Sequence, residues 1–231
     1  MEDDAEAGTA AAGGEASSRP SWRHGRLLPT GRFDAFTDGV FAIAITLLVL
    51  ELKVPEEAEG FLHALGSEWH TYLAYLVSFS FIGATWIAHA NLSRFIKATD
   101  AGLMRLNLGL LLFVSLLPFT TSLMATQLEG DAKHVVVFIF GLNLTLASLM
   151  INVMIRHAVH TPGIADDAVA EHELRGFARE RLVSLIVLAA ATVIGLLLPK
   201  VGIFIYLVVS VVFLVEPLTR RRRGAGKQIT S

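Results

Sequence analysis

Arg32-Phe33-Asp34-Ala35-Phe36-Thr37-Asp38-Gly39-Val40-Phe41-Ala42-Ile43-Ala44-Ile45-Thr46-Leu47-Leu48-Val49-Leu50-Glu51 is the stretch that decides the fold. Two acids and an arginine crowd its first two turns, and no charge follows until Glu51. A helix that crosses a bilayer needs about 20 mostly apolar residues, and the segment 33–53 meets that length. Five more segments meet or approach it, at 70–92, 103–127, 134–156, 181–198 and 201–218. Pro118 should kink the third, because proline removes one helical hydrogen bond. Only Pro199-Lys200 separates the fifth from the sixth, which predicts a tight helical hairpin. No segment alternates with period two, the pattern of a membrane barrel. The expected fold is an all-α membrane protein with six transmembrane helices per subunit.

Composition agrees. Of 231 residues, 53% are hydrophobic and 17% charged, with a mean hydropathy of +0.57. A soluble domain carries about 25% charged and about 45–50% apolar residues, and one this apolar would expose aggregating patches. An ordinary soluble enzyme, a disordered chain and a nucleic-acid binder are thereby excluded. Cysteine is absent. Disulfide scaffolds, cysteine-ligated zinc, iron–sulfur clusters and thiol nucleophiles go with it.

The ends carry little apolar sequence. Residues 1–30, rich in Ala, Gly, Glu and Ser, cannot bury enough surface to offset ordering entropy and read as a flexible tail. They lack the short apolar region and cleavage site of a secretory signal. The six-helix transmembrane domain is expected over 31–218, and 219–231 reads as a basic tail with Arg220 to Arg223 and Lys227. Of the 19 Lys and Arg residues, only Lys53, Lys133 and Lys200 fall on the outer side when the N-terminus is cytoplasmic. Such a bias places both termini in the cytoplasm of a multi-pass cell-membrane protein. The basic C-terminal run serves as a topology determinant, or touches anionic lipid at the inner leaflet.

The first span holds the unusual chemistry. Ionisable side chains in a membrane helix cost several kcal/mol unless paired or hydrated, so they mark function or a buried polar network. At about 100° per residue, Ile43, Leu47 and Leu50 share one narrow stripe, with Phe36 one level lower. Asp34, Thr37 and Asp38 point to the other side. The stripe lines a pore, or it is the Ile/Leu spacing of any packed membrane helix. The two acids are functional, or they sit at the cytoplasmic helix N-terminus, where the macrodipole favours negative charge. Trp86, His89, Asn91 and Arg94 in span two, and Asn107 in span three, belong at the depth of Arg32 and Asp38. Together they form a candidate network able to satisfy its own members. Read singly, Trp86 is an interfacial anchor and His89 a helix-end surface residue.

The run from Arg32 through Phe36-Thr37-Asp38-Gly39 to Leu50 resembles the first helix of the prokaryotic potassium channels of the transmembrane protein 175 (endolysosomal potassium channel) family. That family's signature there is Arg-x-x-x-Phe-Ser-Asp, and Thr37 departs from it while keeping the hydroxyl. Trp86-x-x-His89, Asn107 and Pro118-Phe119 are similar too, and the six-span layout matches over about 30–218. The resemblance implies a homotetramer whose first helices line a central pore without a re-entrant filter loop. It implies a constriction at Ile43, Leu47 and Leu50 and a selectivity-associated hydroxyl ring at Thr46. It also implies that Arg32, Phe36, Thr37 and Asp38 hold the pore helix against Trp86, His89 and Asn107. Potassium would be the permeant ion, with membrane lipid as surroundings and no cofactor. Directly legible is the lack of any Thr-Val-Gly-Tyr-Gly-type loop, so side chains rather than carbonyl rings must select.

Two rival readings remain at this level. A proton or other monovalent-cation pathway is one, although Asp38 and His89 alone form no titratable chain across the membrane. A membrane-embedded metal-dependent protein is the other, with His157, His160, Asp166, Asp167, Glu171, His172 and Glu173 in the loop between spans four and five. That loop reads equally as a solvated, charged segment. No catalytic centre is identifiable, so no enzyme is expected. Asn143 and Asn152 read as interhelical hydrogen-bond partners or, alternatively, as residues near the permeation route.

Overall fold

The computed structural model describes residues 29–52, 66, 68–165 and 168–227. Each apolar run of the sequence becomes helical, the third as two consecutive helices. These are α1 (Gly31–Leu47), extended by a 3-10 turn over Leu48–Glu51, α2 (Trp69–Phe95), α3 (Ala101–Ser115), α4 (Leu117–Gln127), α5 (Lys133–His160), α6 (Ala168–Leu197) and α7 (Pro199–Lys227). Helices are the economical solution in lipid, because they satisfy every backbone group within the segment. No strand forms among the described residues, and one isolated bridge joins Ile96 to Ala165.

Five helical stretches are long and apolar enough to cross a membrane, and Pro199–Val215 is a shorter apolar sixth. The third stretch, Ala101–Gln127, is divided at Leu116, with Pro118 in the first turn of α4. The expected disruption is thus a one-residue interruption at Leu116, which keeps helical dihedrals, since the Pro118 nitrogen has no hydrogen to donate. α6 ends at Leu197 and α7 begins at Pro199, so the hairpin is as tight as expected.

Two boundaries differ from the sequence reading. The charged segment taken as part of a loop after residue 160 is largely helical, because α6 begins at Ala168. Ala, Glu, Leu and Arg are strong helix formers, and propensity carries the helix below the apolar run. α7 likewise continues through Arg220–Arg223 to Lys227. The tail at 1–28, Lys53, Asp166 and Asp167 lie outside the described residues, as does the Glu171 side chain.

α5 is the central helix and packs on α3, α4, α6 and α7, while α7 also lies against α2. Phe140, Leu144, Ile151 and Met154 of α5 are fully buried, as is Tyr206 of α7. Apolar residues gain nothing by leaving lipid, so polar contacts and close approach hold such a bundle. Ser78 and Thr121 bond at 2.6 Å between α2 and α4, Thr145 and Thr192 at 3.0 Å between α5 and α6. Asn143 donates to the Thr120 hydroxyl, and Asn152 donates to the carbonyls of Ser148 and Arg181. Both asparagines are therefore interhelical ties. Gly195 and Gly202 bring α6 and α7 together, since a Cβ on Gly202 would stand 2.5 Å from the Gly195 Cα.

α1 stands apart from this pattern. It touches α2, α3 and α4 along one side only, and 28% of its apolar window is buried against 56% for α2.

Candidate functional site

The buried side of α1 is the row Phe33, Thr37, Phe41, Ala44 and Leu48, spaced by three and four residues. This spacing is one face of an α-helix, and α2 and α3 cover it. Thr37 is fully buried there. Its hydroxyl donates to the Phe33 carbonyl at 2.9 Å and accepts from Asn107 Nδ2 of α3 at 2.7 Å. Any hydroxyl at this position completes the same pair of bonds, which explains why threonine substitutes for serine.

His89 of α2 is 2% exposed and stacks on Phe33 with ring centroids 5.5 Å apart, with Phe41 tilted beyond it at 6.3 Å. It is a packed interior ring rather than a helix-end surface residue. Trp86 donates its indole N–H to Asp38 at 2.9 Å, and Ser93 donates to Asp34 at 2.6 Å. Trp86, His89 and Ser93 thus form one face of α2, aimed at α1. Ser93 was not foreseen, although its seven-residue distance from Trp86, two helical turns, is the signal that finds it.

The acids and Thr37 do not share one side, contrary to the sequence reading. Thr37 enters the core while Asp38 stays exposed on the flank beside Trp86. One residue along a helix is a 100° turn, enough to separate a core position from a flank. Arg32 and Phe36 are exposed, outside this hydrogen-bonded set. Asn91 is half-buried off the Trp86 face, and Arg94 is exposed.

The opposite side of α1 is bare. Ile43 is 61% exposed, Leu50 73%, and Leu47 and Phe36 are also exposed. Ala35, Gly39, Ala42 and Thr46 lie on the same surface. The Thr46 hydroxyl donates to the carbonyls of Ala42 and Ile43, each at 2.9 Å. With its hydrogen directed into the backbone, the oxygen presents acceptor lone pairs outward. A continuous face of aliphatic side chains, interrupted by one oxygen acceptor, therefore runs the length of α1.

The histidines between spans four and five are not brought together. His157 Nε2 reaches the Asp100 carboxylate at 2.9 and 3.0 Å, whereas His160 turns back to the Arg156 carbonyl at 2.7 Å. His172 and Glu173 are exposed on α6. Among the described residues no group of three or more His, Cys, Asp or Glu is placed to hold a metal ion. Asp100 has a structural task, because it caps α3 by accepting from the Leu103 amide at 2.7 Å. Burial pushes its carboxyl up, but the Leu103 amide and His157 outweigh burial and hold it below its ordinary value.

Comparison with known proteins matches residues 32–118 to the family model described as endosomal/lysosomal potassium channel TMEM175. A protein of Streptomyces collinus named a potassium channel is 40% identical over 143 residues, 61% of this chain and 69% of that one. The mouse protein named endosomal/lysosomal proton channel TMEM175 is 35% identical over 117 residues, 45% of this chain and 23% of that one. Among solved structures, the crystal structure of a lysosomal potassium-selective channel TMEM175 homolog from Chamaesiphon minutus superimposes with a TM-score of 0.73. It is 30% identical, covering 81% of this chain and 97% of that one.

Proposed function

The chain belongs to the TMEM175 ion-channel family, and from that premise we propose that it is a potassium-selective channel of the cell membrane. Four copies assemble with α1 innermost, both termini cytoplasmic, and ions cross passively along the shared axis. Ile43, Leu47 and Leu50 form the aliphatic constriction and Thr46 the hydroxyl ring. Thr37, Asp38, Trp86, His89 and Asn107 hold α1 in place, with Arg32 and Phe36 at its cytoplasmic end.

One observation carries this reading: α1 packs along a single row and leaves the Phe36–Ile43–Leu47–Leu50 side without a neighbour. Ala35, Gly39 and Ala42 on that side suit close approach of copies, as small residues do between membrane helices, and nothing stands within 4 Å of a Cβ at Gly39. A ring of aliphatic side chains closes by dewetting when narrow and passes partly dehydrated ions when wider. Potassium sheds water at lower cost than sodium, so such a neck favours potassium. The Thr46 oxygens return part of the lost coordination.

Proton permeation is the second reading, favoured by the mouse relative's name as a proton channel. Purified protein in liposomes under separate potassium, sodium and proton gradients distinguishes them. A reversal potential that follows the potassium gradient supports the first reading. One that follows the proton gradient overturns it in favour of the second. A monomeric protein under conditions that preserve conduction overturns the shared axial pore.

A further inference from the structure

At the end of the bundle where α6 turns into α7, a groove of about 630 Å³ opens between the starts of α2 and α5 and the start of α7. Its walls include Trp69, Leu73, Phe204 and Leu207, and Lys133 and Lys200 stand at it beside Glu129. Only three of the 19 Lys and Arg residues fall at this end of the spans in the sequence pattern, and two of them line this one groove. Depletion of cations is the rule on this side of a membrane protein, so their convergence over an apolar cleft calls for a ligand.

We propose that this groove is a binding site for an anionic phospholipid. The phosphate lies between the Lys133 and Lys200 ammonium groups, and an acyl chain runs down the Leu73–Phe204–Leu207 wall. Trp69, 47% exposed, sits at the boundary level that amphipathic rings prefer. Charge complementarity selects the occupant. Among the lining residues two cations against one carboxylate leave the groove net positive, which suits a lipid phosphate that carries no compensating amine. A second copy of this chain would have to bury both lysines opposite a face of its own. The described acids at this end available to such a copy are Glu51, Glu68, Glu129 and Asp131, so the state of the oligomer is the readout that separates it from lipid.

The full chain, released from detergent in native mass spectrometry with phosphatidylglycerol or phosphatidylcholine added, tests the site. The wild type should retain phosphatidylglycerol preferentially. Lys133→Ala with Lys200→Ala should lower that occupancy roughly tenfold or more, because each membrane-facing lysine contributes measurably to anionic-lipid affinity. Lys133→Arg with Lys200→Arg should retain it, and Glu129→Gln should raise it. Phosphatidylglycerol adducts that persist in the double alanine variant would overturn the proposal by assigning them to the basic opposite end. Loss of the oligomer with unchanged lipid per subunit would overturn it in favour of a contact between copies.

Discussion

Trp86 of α2 donates its indole N–H to the carboxylate of Asp38 on α1 across 2.9 Å. The bond joins the flank of a helix that is otherwise bare on one side to a helix packed within the bundle. It lies between the buried Thr37–Asn107 bond and the exposed Ile43 side, and so ties the angular setting of α1 to the scaffold.

Trp86→Phe keeps the aromatic body and removes the donor. Because Trp86 is 44% exposed, the loss in thermal stability should be about 1 kcal/mol or less, below the range for buried charge-assisted bonds. Single-channel recording should show altered open probability at unchanged ionic selectivity. An unchanged melting point and gating would show that this bond does not hold the helix.

Thr37→Val leaves the Asn107 amide without its acceptor inside the bundle. It should destabilise by about 1–3 kcal/mol, the cost of a buried unsatisfied polar group. Thr37→Ser should be close to neutral, and Thr37→Val with Asn107→Leu should recover part of the loss. A double-mutant cycle on unfolding midpoints measures the coupling, and additivity within about 0.5 kcal/mol would refute it.

Ile43→Asn places an amide on the exposed side of α1 and disturbs no buried contact. The protein should remain stable, with raised leak and a reversal potential shifted toward sodium. Unchanged conductance and selectivity would overturn the proposed constriction at Ile43.

Gly202→Val should prevent α6 and α7 from closing, since even a Cβ there meets the Gly195 backbone. Gly202→Ala should cost about 1–3 kcal/mol as overpacking. Gly176→Ala is the contrast, with nothing within 4 Å, and should stabilise by about 0.5–1 kcal/mol through helix propensity. Melting curves of the two alanine variants should therefore move in opposite directions.

Asp100 supplies the pH dependence. Its folded carboxyl titrates below its value of 3.8 in an unfolded chain, so the capping contribution is fully present above that value. It is lost as pH falls through the lower folded value. Acid unfolding of the wild type should steepen below pH 3.8, and Asp100→Asn should flatten that part of the profile. Identical profiles would show that the cap and its His157 contact carry no linked stability.

The polar ends of the helices were partly legible in advance. Thr37, Asp38, Trp86, His89 and Asn107 share a depth because three antiparallel spans share one boundary, and depth follows from counting residues along each span. Ser93 is not legible in the sequence by type, because serine is common at helix ends and carries no charge to mark it. Asp100 reads in the sequence as any loop acid does, since its link to His157 joins residues 57 positions apart.

Hydropathy along the chain determined where the apolar runs lie, the break near Pro118 and the hairpin at Pro199, though not how far α6 and α7 continue beyond their apolar runs. Each depends on the local balance of apolar and polar residues, which acts on a segment before it meets any other. Tertiary structure alone decided which side of α1 is buried, why Thr37 and Asp38 part company, why His157 bonds Asp100 rather than pairing with His160, and that Lys133 and Lys200 line one groove. In lipid an apolar side chain is equally at home inside or outside the bundle. Apolarity therefore settles that a helix crosses the membrane, while only its neighbours settle which way it faces.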